Sequence, residues 1–361
     1  MADVRNLQHV TVYRDPGEKW NAAFPEIGCM SNGDLIVAFR QAPYPATPVG
    51  GSQGLLHAHG DVRARGAIIR STDGGTTWDH KTYRLLAEPP NGVEQMSVSV
   101  LSGDFLLSRH ARCRADRTGN DLWVRRSSDR GDTWDEAMPI DMYPLTSTAV
   151  HAPVLEMPDG TILAPHCGPI GTGGPGQHAQ IVIRSTDQGR TWGDPSVIAY
   201  DTRGFHFYHQ CSLVRMDDGE IIALFWCWNM RKGHDGQEVN TPHIWISRSW
   251  DDGYTWIPVE EIPFRTTGAT PSLIALRDGR LLCVWSHRGD PSIRAAVSED
   301  RGRSWSTHYG AALREHPGLG FRDIGEPCSR QLPDGRIVSV YYWFNSDDDP
   351  ILYIEAAFYT V

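Results

Sequence analysis

The sequence lacks any apolar run long enough to cross a membrane, and no long stretch repeats the 3.6-residue period of a helix. We therefore predict neither a membrane span nor a mainly helical fold. The formal net charge of -10 disfavours nucleic acid as a partner. The opening residues, MADVRNLQHV, lack the apolar segment of a signal peptide. A cytoplasmic location is expected, with a secreted or periplasmic protein whose leader has been removed as the alternative.

Cysteine is also scarce. The chain has seven cysteines, an odd number without the spacing of a disulfide framework. Five of them fall inside predicted strands, and they are Cys29, Cys211, Cys227, Cys283 and Cys328. This distribution is typical of small buried apolar side chains in a reducing compartment.

One eight-residue motif, S-x-D-x-G-x-[ST]-W, occurs five times. The copies are STDGGTTW (71–78), SSDRGDTW (127–134), STDQGRTW (185–192), SWDDGYTW (249–256) and SEDRGRSW (298–305). Each follows a short apolar run that is typical of a strand, such as GAIIR or QIVIR. Asp can accept hydrogen bonds from the backbone that follows it, and Gly permits a tight bend. We interpret the motif as a structural hairpin turn that buries its Trp, and we assign no catalytic role to its Asp.

A second element, two apolar runs joined by a turn that contains glycine, occurs six times. The turn glycines are Gly33, Gly103, Gly160, Gly219, Gly279 and Gly335. Together the two elements predict four antiparallel strands in each repeat of roughly 50–60 residues, which is typical of β-propeller blades. We therefore predict an all-β, six-bladed propeller that forms a single domain over residues 1–361. The sixth repeat lacks the motif, and the N-terminal strand HVTVYR is expected to complete that blade and close the ring.

Five such motifs, known as Asp boxes, on a six-bladed plan resemble the sialidase (neuraminidase) superfamily, also called BNR-repeat proteins. The resemblance covers nearly the whole chain. It implies an active site at the propeller axis, on the face where the first strand of each blade begins, and cleavage of a terminal acidic sugar. It also implies three arginines that bind the substrate carboxylate, a Tyr–Glu nucleophile, and an Asp general acid in the long loop of the first blade.

The individual positions match this family pattern only in part. Asp61 lies in the long loop of blade one, where the family has its general acid. The family's Arg-Ile-Pro is replaced by AAFPEIG, with Phe24 before Pro25. Glu326, in DIGEPCS, occupies the position of the family's Tyr. The arginine clamp and the nucleophile of a true sialidase therefore do not transfer to this chain.

Counting back nine residues from each turn glycine predicts the entry positions of the six first strands: Phe24, Glu94, His151, Gln210, Thr270 and Glu326. Neighbouring strand ends and loops add candidates for binding an anionic sugar, because Arg binds carboxylates in bidentate fashion and Trp stacks on sugar rings. These candidates are Arg40, Arg109, His110, His166, Trp228, Arg231, His287, Arg288 and Arg322.

Three functions fit these residues. An exo-acting glycoside hydrolase on a terminal acidic sugar needs two carboxyl groups, with Asp61 as the acid, Glu326 as nucleophile or base, and Glu94 as a third candidate. A lyase on uronic-acid sugars or oligosaccharides would use His151, His209 or Tyr208 for β-elimination. The third possible function is that of a propeller that binds a glycan without catalysis. The density of titratable groups favours an enzyme.

No cofactor is predicted, with one weak exception. In HAHGD, the side chains of His57 and His59 would point the same way on an extended strand, with Asp61 in phase. Such a triplet is a candidate for a divalent metal site, but its spacing is only weakly specific.

Overall fold

A computed structural model describes residues 4–45, 59–171, 177–232, 238–264, 266, 270–318 and 322–361, without the side chains of residues 229–242. Its 24 strands form six four-stranded antiparallel sheets, the blades of a six-bladed β-propeller. The predicted fold class is confirmed. Across these ranges no helix has the length and apolar character needed to span a membrane.

The chain divides into two compact units. We call Val4–Ile140 with Asp323–Val361 the terminal unit and Asp141–Arg322 the central unit. Each is described by itself below, and the single domain over residues 1–361 stays a prediction.

The terminal unit contains blades six, one and two. Blade one consists of β2 Trp20–Cys29, β3 Leu35–Pro43, β4 Arg65–Ser71 and β5 Arg84–Ala87. Blade two consists of β6 Val93–Leu101, β7 Phe105–Cys113, β8 Asn120–Ser127 and β9 Met138–Ile140. Blade six consists of β22 Gly325–Gln331, β23 Ile337–Trp343, β24 Tyr353–Thr360 and β1 Arg5–Tyr13. Short 3-10 turns lie at His80–Thr82 and Ser102–Asp104.

The central unit contains blades three, four and five. Blade three consists of β10 Leu155–Glu156, β11 Ile162–Pro169, β12 His178–Ser185 and β13 Gly193–Tyr200. Blade four consists of β14 His206–Arg215, β15 Ile221–Lys232, β16 Glu238–Ser249 and β17 Glu260–Ile262. Blade five consists of β18 Ser272–Ala275, β19 Leu281–His287, β20 Ser292–Ser298 and β21 Ala311–Glu315.

The N-terminal strand completes blade six, as predicted. Strand β1 pairs antiparallel with β24, and its partners include His9 with Ala357 and Val10 with Ala356. The last strand of the chain is therefore an inner strand of its sheet, and β1 forms the outer edge of blade six.

All five Asp boxes form the same hydrogen-bonded turn. In the third box, the Ser185 hydroxyl donates to Asp187 Oδ1 at 2.9 Å and accepts from the Gly189 amide at 2.8 Å. The Asp187 carboxylate also accepts from the amide and the hydroxyl of Thr191 at 2.8 and 2.7 Å. These bonds favour the ionised carboxylate, so they outweigh the effect of burial and lower the pKa of Asp187 to about 2. The box Asp is fully engaged by its own turn, as expected of a structural residue.

Three box turns also pack on the blade that precedes them. In each case an arginine near the end of the preceding blade's third strand bonds to the box: Arg70 to Asp132 at 2.5 Å, Arg184 to the Asp252 carbonyl at 3.3 Å, and Arg248 to the Arg301 carbonyl at 2.8 Å. Such an arginine comes directly before the box serine in four of the five repeats. The exception is Val297 in blade five, and the blade that follows has no box. The box therefore connects neighbouring blades as well as closing its own hairpin.

The predicted burial of the box tryptophans holds for only one of the five. Trp78 is buried, whereas Trp134, Trp192, Trp256 and Trp305 are half-buried. Three of these indoles, those of Trp134, Trp192 and Trp256, donate to the carbonyl of their own box glycine at 3.0–3.1 Å. That bond holds the ring against its own turn near the surface, so the prediction of uniformly buried rings was wrong.

We expect Asp187→Ala to destabilise the protein while leaving its functional site intact. The change removes an acceptor of several hydrogen bonds, which should cost about 1–2 kcal/mol and lower the melting temperature by about 2–4 °C. Differential scanning calorimetry provides the measurement. Asp217→Ala is the matched control, because Asp217 is exposed and makes no hydrogen bond among the described residues. An Asp187→Ala protein as stable as the control would contradict the structural role of the box.

Candidate active site

Three first strands contain a predicted entry residue in the left-handed region of backbone conformation. Phe24 in β2, Gln210 in β14 and Glu326 in β22 have φ values of 57°, 48° and 45°. At each of them the pairing with the second strand of the blade shifts register, as in a β-bulge. Such a conformation costs on the order of 1–3 kcal/mol for a residue other than glycine, and strain of this kind is concentrated at functional sites. Three of the six entry positions predicted from the sequence are therefore unusual in the structure as well.

In the terminal unit, Glu94 and His59 form a close ion pair. His59 Nδ1 contacts Glu94 Oε1, and the Gly60 amide donates to Glu94 Oε2 at 3.0 Å. Burial alone would raise the pKa of Glu94, but the charge and hydrogen bond of His59 lower it to about 2. Burial likewise lowers the pKa of His59, and Glu94 raises it by more, so that the net pKa lies above that of an ordinary histidine. The contact therefore favours ionised Glu94 and protonated His59.

A buried arginine, Arg40, lies next to this pair. Its side chain is fully buried, and its Nε donates to the Val93 carbonyl at 2.8 Å. Its positive charge helps to lower the pKa of Glu94 and opposes protonation of His59. Arg40 therefore adds to the effect of His59 in keeping Glu94 ionised, while Glu94 favours the protonated form of His59.

Aromatic rings and a second carboxylate complete the cluster. Phe24 stacks on His59 with ring centroids 5.6 Å apart and meets Tyr342 edge-on at 5.5 Å. The Tyr342 hydroxyl donates to Asp323 Oδ1 at 3.1 Å, and the Asp323 charge further raises the pKa of His59. We call Phe24, His59, Glu94, Asp323 and Tyr342 the acid–base cluster. His59 is its most accessible titratable group of known exposure, with 42% of its side chain exposed against 14% for Glu94.

A cavity of about 130 Å³ lies beside Glu94, lined in part by Arg114 and Arg117. Arg114 is paired with Asp121 at 2.7 Å. Arg117 donates to the Gly60 carbonyl at 3.1 Å and makes no ion pair within the described part of the chain. Arg117 is therefore the cation at this cavity that is available to an anionic ligand.

Asp61, the predicted general acid, is held as a carboxylate. Oδ1 accepts from the Arg63 amide at 2.9 Å and Nε at 3.1 Å, and Oδ2 accepts from Nη2 at 2.9 Å. Burial would raise the pKa of Asp61, but these bonds to Arg63 lower it overall. A role for Asp61 as a proton donor at neutral pH stays a prediction, and its environment does not favour that role.

Glu326, the predicted nucleophile or base, is half-buried at the start of β22. Strands β22 and β6 both lie beside β2, and the Ile27 amide in β2 contacts the Cys328 thiol in β22 at 3.5 Å. Glu326, Phe24 and Glu94 therefore lie on three adjacent first strands. The terminal unit brings the two predicted entry-position carboxylates to the same end of its sheets.

Two other predicted binding residues of this unit are inaccessible. Arg109 is fully buried; burial lowers its pKa to about 10, and the charge of Glu26 opposes this shift. His110 is buried and accepts from Arg112 Nε at 3.0 Å. Burial, with the charge of Arg112 as a further cause, lowers the pKa of His110 to about 3, so its ring is neutral. Arg109 and His110 are therefore too deeply buried to contact a solute directly, as is Arg40.

In the central unit, Gln210 organises a separate network of buried polar groups. Its Nε2 lies 2.9 Å from His151 Nε2, and its Oε1 accepts from Trp226 Nε1 at 2.5 Å. The Thr270 hydroxyl also donates to Gln210 Oε1. This arrangement joins three predicted entry positions, Gln210, His151 and Thr270. It contains no carboxylate among these partners, so it is less suited to acid–base chemistry than the cluster of the terminal unit.

The other two candidates for a lyase lie in aromatic surroundings. His209 stacks on Trp226 at 4.9 Å, and burial lowers its pKa well below that of an ordinary histidine. Tyr208 is buried in an apolar cluster with Phe225, and burial raises the pKa of its hydroxyl. A buried phenol on an apolar face is poorly placed to transfer a proton to a substrate.

The remaining predicted binding residues differ in accessibility. His166 is buried, while Trp228, His287, Arg288 and Arg322 are half-buried. Trp228 packs edge-on against Trp226 at 5.0 Å, and the Arg322 amide donates to the Arg288 carbonyl at 2.9 Å. The side chain of Arg231 lies outside the described residues.

Of the three residues of the predicted HAHGD metal site, His57 lies outside the described residues. Across the described part of the chain, no group of three or more His, Cys, Asp or Glu side chains is arranged to hold a metal ion. His59 instead pairs with Glu94. A divalent metal at His57 and His59 stays a prediction.

Sequence reasoning identified most positions of the acid–base cluster but missed its central contact. Glu94 was predicted as an entry position, whereas His59 was placed among the loops of the same face with no role other than that of a candidate metal ligand. Their pairing joins a loop of blade one to a strand of blade two, and no local spacing encodes such a contact. The available signal was a histidine two residues before Asp61, in the loop where the family resemblance implies an acid.

Comparison with known proteins supports the family resemblance. Residues 110–317 match the family described as BNR repeat-like domain. A sialidase of Micromonospora viridifaciens is 30% identical over 209 residues, which cover 50% of this chain and 30% of that protein. A sialidase of Paraclostridium sordellii is 24% identical over 275 residues, covering 69% and 61% of the two chains. This chain therefore spans less than two thirds of either relative.

A crystal structure of a protein of unknown function from Dyadobacter fermentans superposes with a TM-score of 0.80. The two chains are 21% identical, and each is covered completely. At that identity the likeness concerns the fold alone. The family match covers more than half of the 361 residues and agrees with the box repeats and the six blades. The chain therefore belongs to the BNR repeat-like domain family, within the sialidase superfamily.

Proposed function

We propose that the protein is a glycoside hydrolase that removes a terminal acidic sugar from an oligosaccharide. The observation that carries the proposal is the ion pair of His59 and Glu94. It places an imidazolium beside a carboxylate at the start of a first strand, and the imidazolium is partly exposed to solvent. A titratable pair with perturbed pKa values next to a cavity is typical of acid–base catalysis.

His59 is the proposed proton donor. Cleavage of the glycosidic C–O bond leaves negative charge on the departing oxygen, and a group that is protonated near neutral pH must supply the proton. Glu94 and Asp323 raise the pKa of His59, whereas Arg63 lowers that of Asp61. His59 therefore fits this role better than Asp61, which we assign to fixing the loop.

Glu326 is the proposed base or nucleophile. It lies near the start of β22, the first strand of blade six, which is adjacent to β2. Its strained backbone conformation directs the side chain away from the regular alternation of a strand. As a base it would take a proton from the attacking water; as a nucleophile it would form a glycosyl ester that water then hydrolyses. In both cases one water is added across the broken bond, and no double bond forms in the sugar.

Arg117 is the proposed contact for the anionic group of the sugar. It lines the cavity beside Glu94 and makes no ion pair within the described part of the chain. A guanidinium can bind a carboxylate through two parallel hydrogen bonds. The buried Arg40 adds positive potential beside Glu94 without needing to touch the substrate.

The hypothesis that the protein is a lyase has weaker support. It requires a base and an acid from His151, His209 and Tyr208. Tyr208 is packed in an apolar cluster, and His209 lies against Trp226. His151 contacts the neutral amide of Gln210.

We expect Glu326→Gln to lower kcat by at least about 10²-fold while the protein remains folded. The amide keeps the shape of the side chain but cannot act as a base or nucleophile. Steady-state kinetics on a glycoside that the wild type hydrolyses provide the measurement. Asp334→Asn, at the other end of the same hairpin, is the matched control and should retain the wild-type rate. A Glu326→Gln enzyme with full kcat would exclude Glu326 from the mechanism.

We also expect Glu94→Gln to shift the pH dependence of kcat/KM. Activity requires protonated His59, so the rate falls as the pH rises through the pKa of His59. Without the Glu94 charge, burial and Arg40 dominate and lower that pKa, so the alkaline limb should move to lower pH by about 1 unit or more. An NMR titration of His59 reports the same pKa independently of turnover.

Glu88→Gln is the control for this shift. Glu88 is an exposed carboxylate of the same unit whose nearest cation is Arg65, at 4.0 Å. An alkaline limb that stays in place in Glu94→Gln would show that His59 is not the titrating acid.

A further inference from the structure

A larger cavity, of about 320 Å³, lies in the central unit between blades three and four. It shares no residue with the acid–base cluster. Its lining includes Asp159, Thr161, Arg184, Arg215 and Tyr254. The turn between β10 and β11 of blade three and the fourth Asp box both contribute lining residues. The cavity therefore lies at the hairpin-turn end of these blades. Its volume is within the range of small-molecule sites, about 300–1,000 Å³.

The fourth Asp box differs from the other four in carrying two exposed aromatic rings. Trp250 is 58% exposed and Tyr254 is 55% exposed. The equivalent positions of the other boxes hold only Thr, Ser, Asp, Arg or Glu. Neither ring is needed to form the box, because the other boxes make the same hydrogen bonds without them. The two aromatic residues therefore require another explanation.

Arg184 holds the Tyr254 ring in place. Its guanidinium lies over the ring with a separation of 3.9 Å. The same guanidinium donates to the Asp194 carbonyl at 2.7 Å and to the Asp252 carbonyl at 3.3 Å, and Arg184 is buried. Because one face of the ring is supported by a fixed cation, a ligand that stacks on the ring has little side-chain motion to restrict.

The polar groups around the ring are of mixed charge. The side chain of Arg215 makes no hydrogen bond or ion pair within the described ranges, although its Nε is buried. Asp159 and Asp252 supply two carboxylates, which balance the charges of Arg184 and Arg215. Sugar hydroxyls both donate and accept hydrogen bonds, so they suit such a lining. A phosphate or sulfate would be repelled by the two carboxylates, those of Asp159 and Asp252.

We propose that this cavity binds a neutral sugar, with one ring stacked on Tyr254 and its hydroxyls between Arg215 and the two carboxylates. The site is non-catalytic and would hold an oligosaccharide on the box-turn side of the central unit. It goes beyond the proposed hydrolase function and does not depend on it.

Binding of lactose, cellobiose and maltose, measured by saturation-transfer NMR and calorimetry, tests the proposal. We expect at least one of them to bind with a Kd in the millimolar range. Tyr254→Ala should weaken that binding about tenfold through loss of the stacking surface. Tyr254→Phe should preserve it, and Arg215→Gln should weaken it. Tyr143→Ala removes another exposed ring, from outside the cavity, and should have no effect.

Three results would overturn the proposal. They are the absence of binding by all three sugars, binding that is unchanged in both Tyr254→Ala and Arg215→Gln, and binding of inorganic phosphate in place of the sugars. Arg215→Gln decides the outcome if Tyr254→Ala does not fold. Hydrolysis of a small aryl glycoside should be unchanged in Tyr254→Ala, so that failure of this site and failure of the proposed hydrolase function are distinguishable.

Discussion

The packing of the Asp-box turn on the preceding blade is the contact on which the rest of the structure depends. A blade of four short strands cannot bury both of its faces alone, so its stability comes from its neighbours. The turn must approach closely: a Cβ on Gly302, whose φ is +81°, would lie 3.0 Å from Ile246 of the preceding blade. An arginine directly before the box serine of one blade then donates a hydrogen bond to the box of the next blade. Arg248 of blade four bonds in this way to the Arg301 carbonyl of blade five. Sequence, local turn and blade-to-blade packing are therefore linked at one motif.

Blades fixed in this way can tolerate strained residues in their first strands. In the terminal unit these are Phe24 in β2 and Glu326 in β22, and β22 and the strand of Glu94, β6, both lie beside β2. Around His59 the charges alternate in sign, from buried Arg40 to Glu94, then His59 and Asp323. Each charge favours the ionised form of its neighbour of opposite sign, which is why burial does not neutralise the cluster. The proposed chemistry uses that balance, since the raised pKa of His59 favours the imidazolium, which can act as a general acid.

The sequence predicted the fold better than the site, for a physical reason. Boxes and glycine turns are local and repeat along the chain, so they indicated six blades and the closing role of the N-terminal strand. Counting from the turn glycines also located Glu94 and Glu326. The pairing of His59 with Glu94 is a contact between blades, and no local pattern encodes it. Burial of the box tryptophans was misjudged because an indole that bonds to its own turn remains near the surface.

The most direct test of the account is the product formed from glycosides of terminal acidic sugars. The wild-type protein should release the aglycone from at least one aryl glycoside of an acidic sugar and yield a saturated free sugar, because hydrolysis adds water across the bond. Ultraviolet absorbance and mass spectrometry of the sugar identify the product. An unsaturated sugar, which only β-elimination produces, would contradict the hydrolase account. Binding of acidic sugars without any turnover across such a panel would contradict it as well.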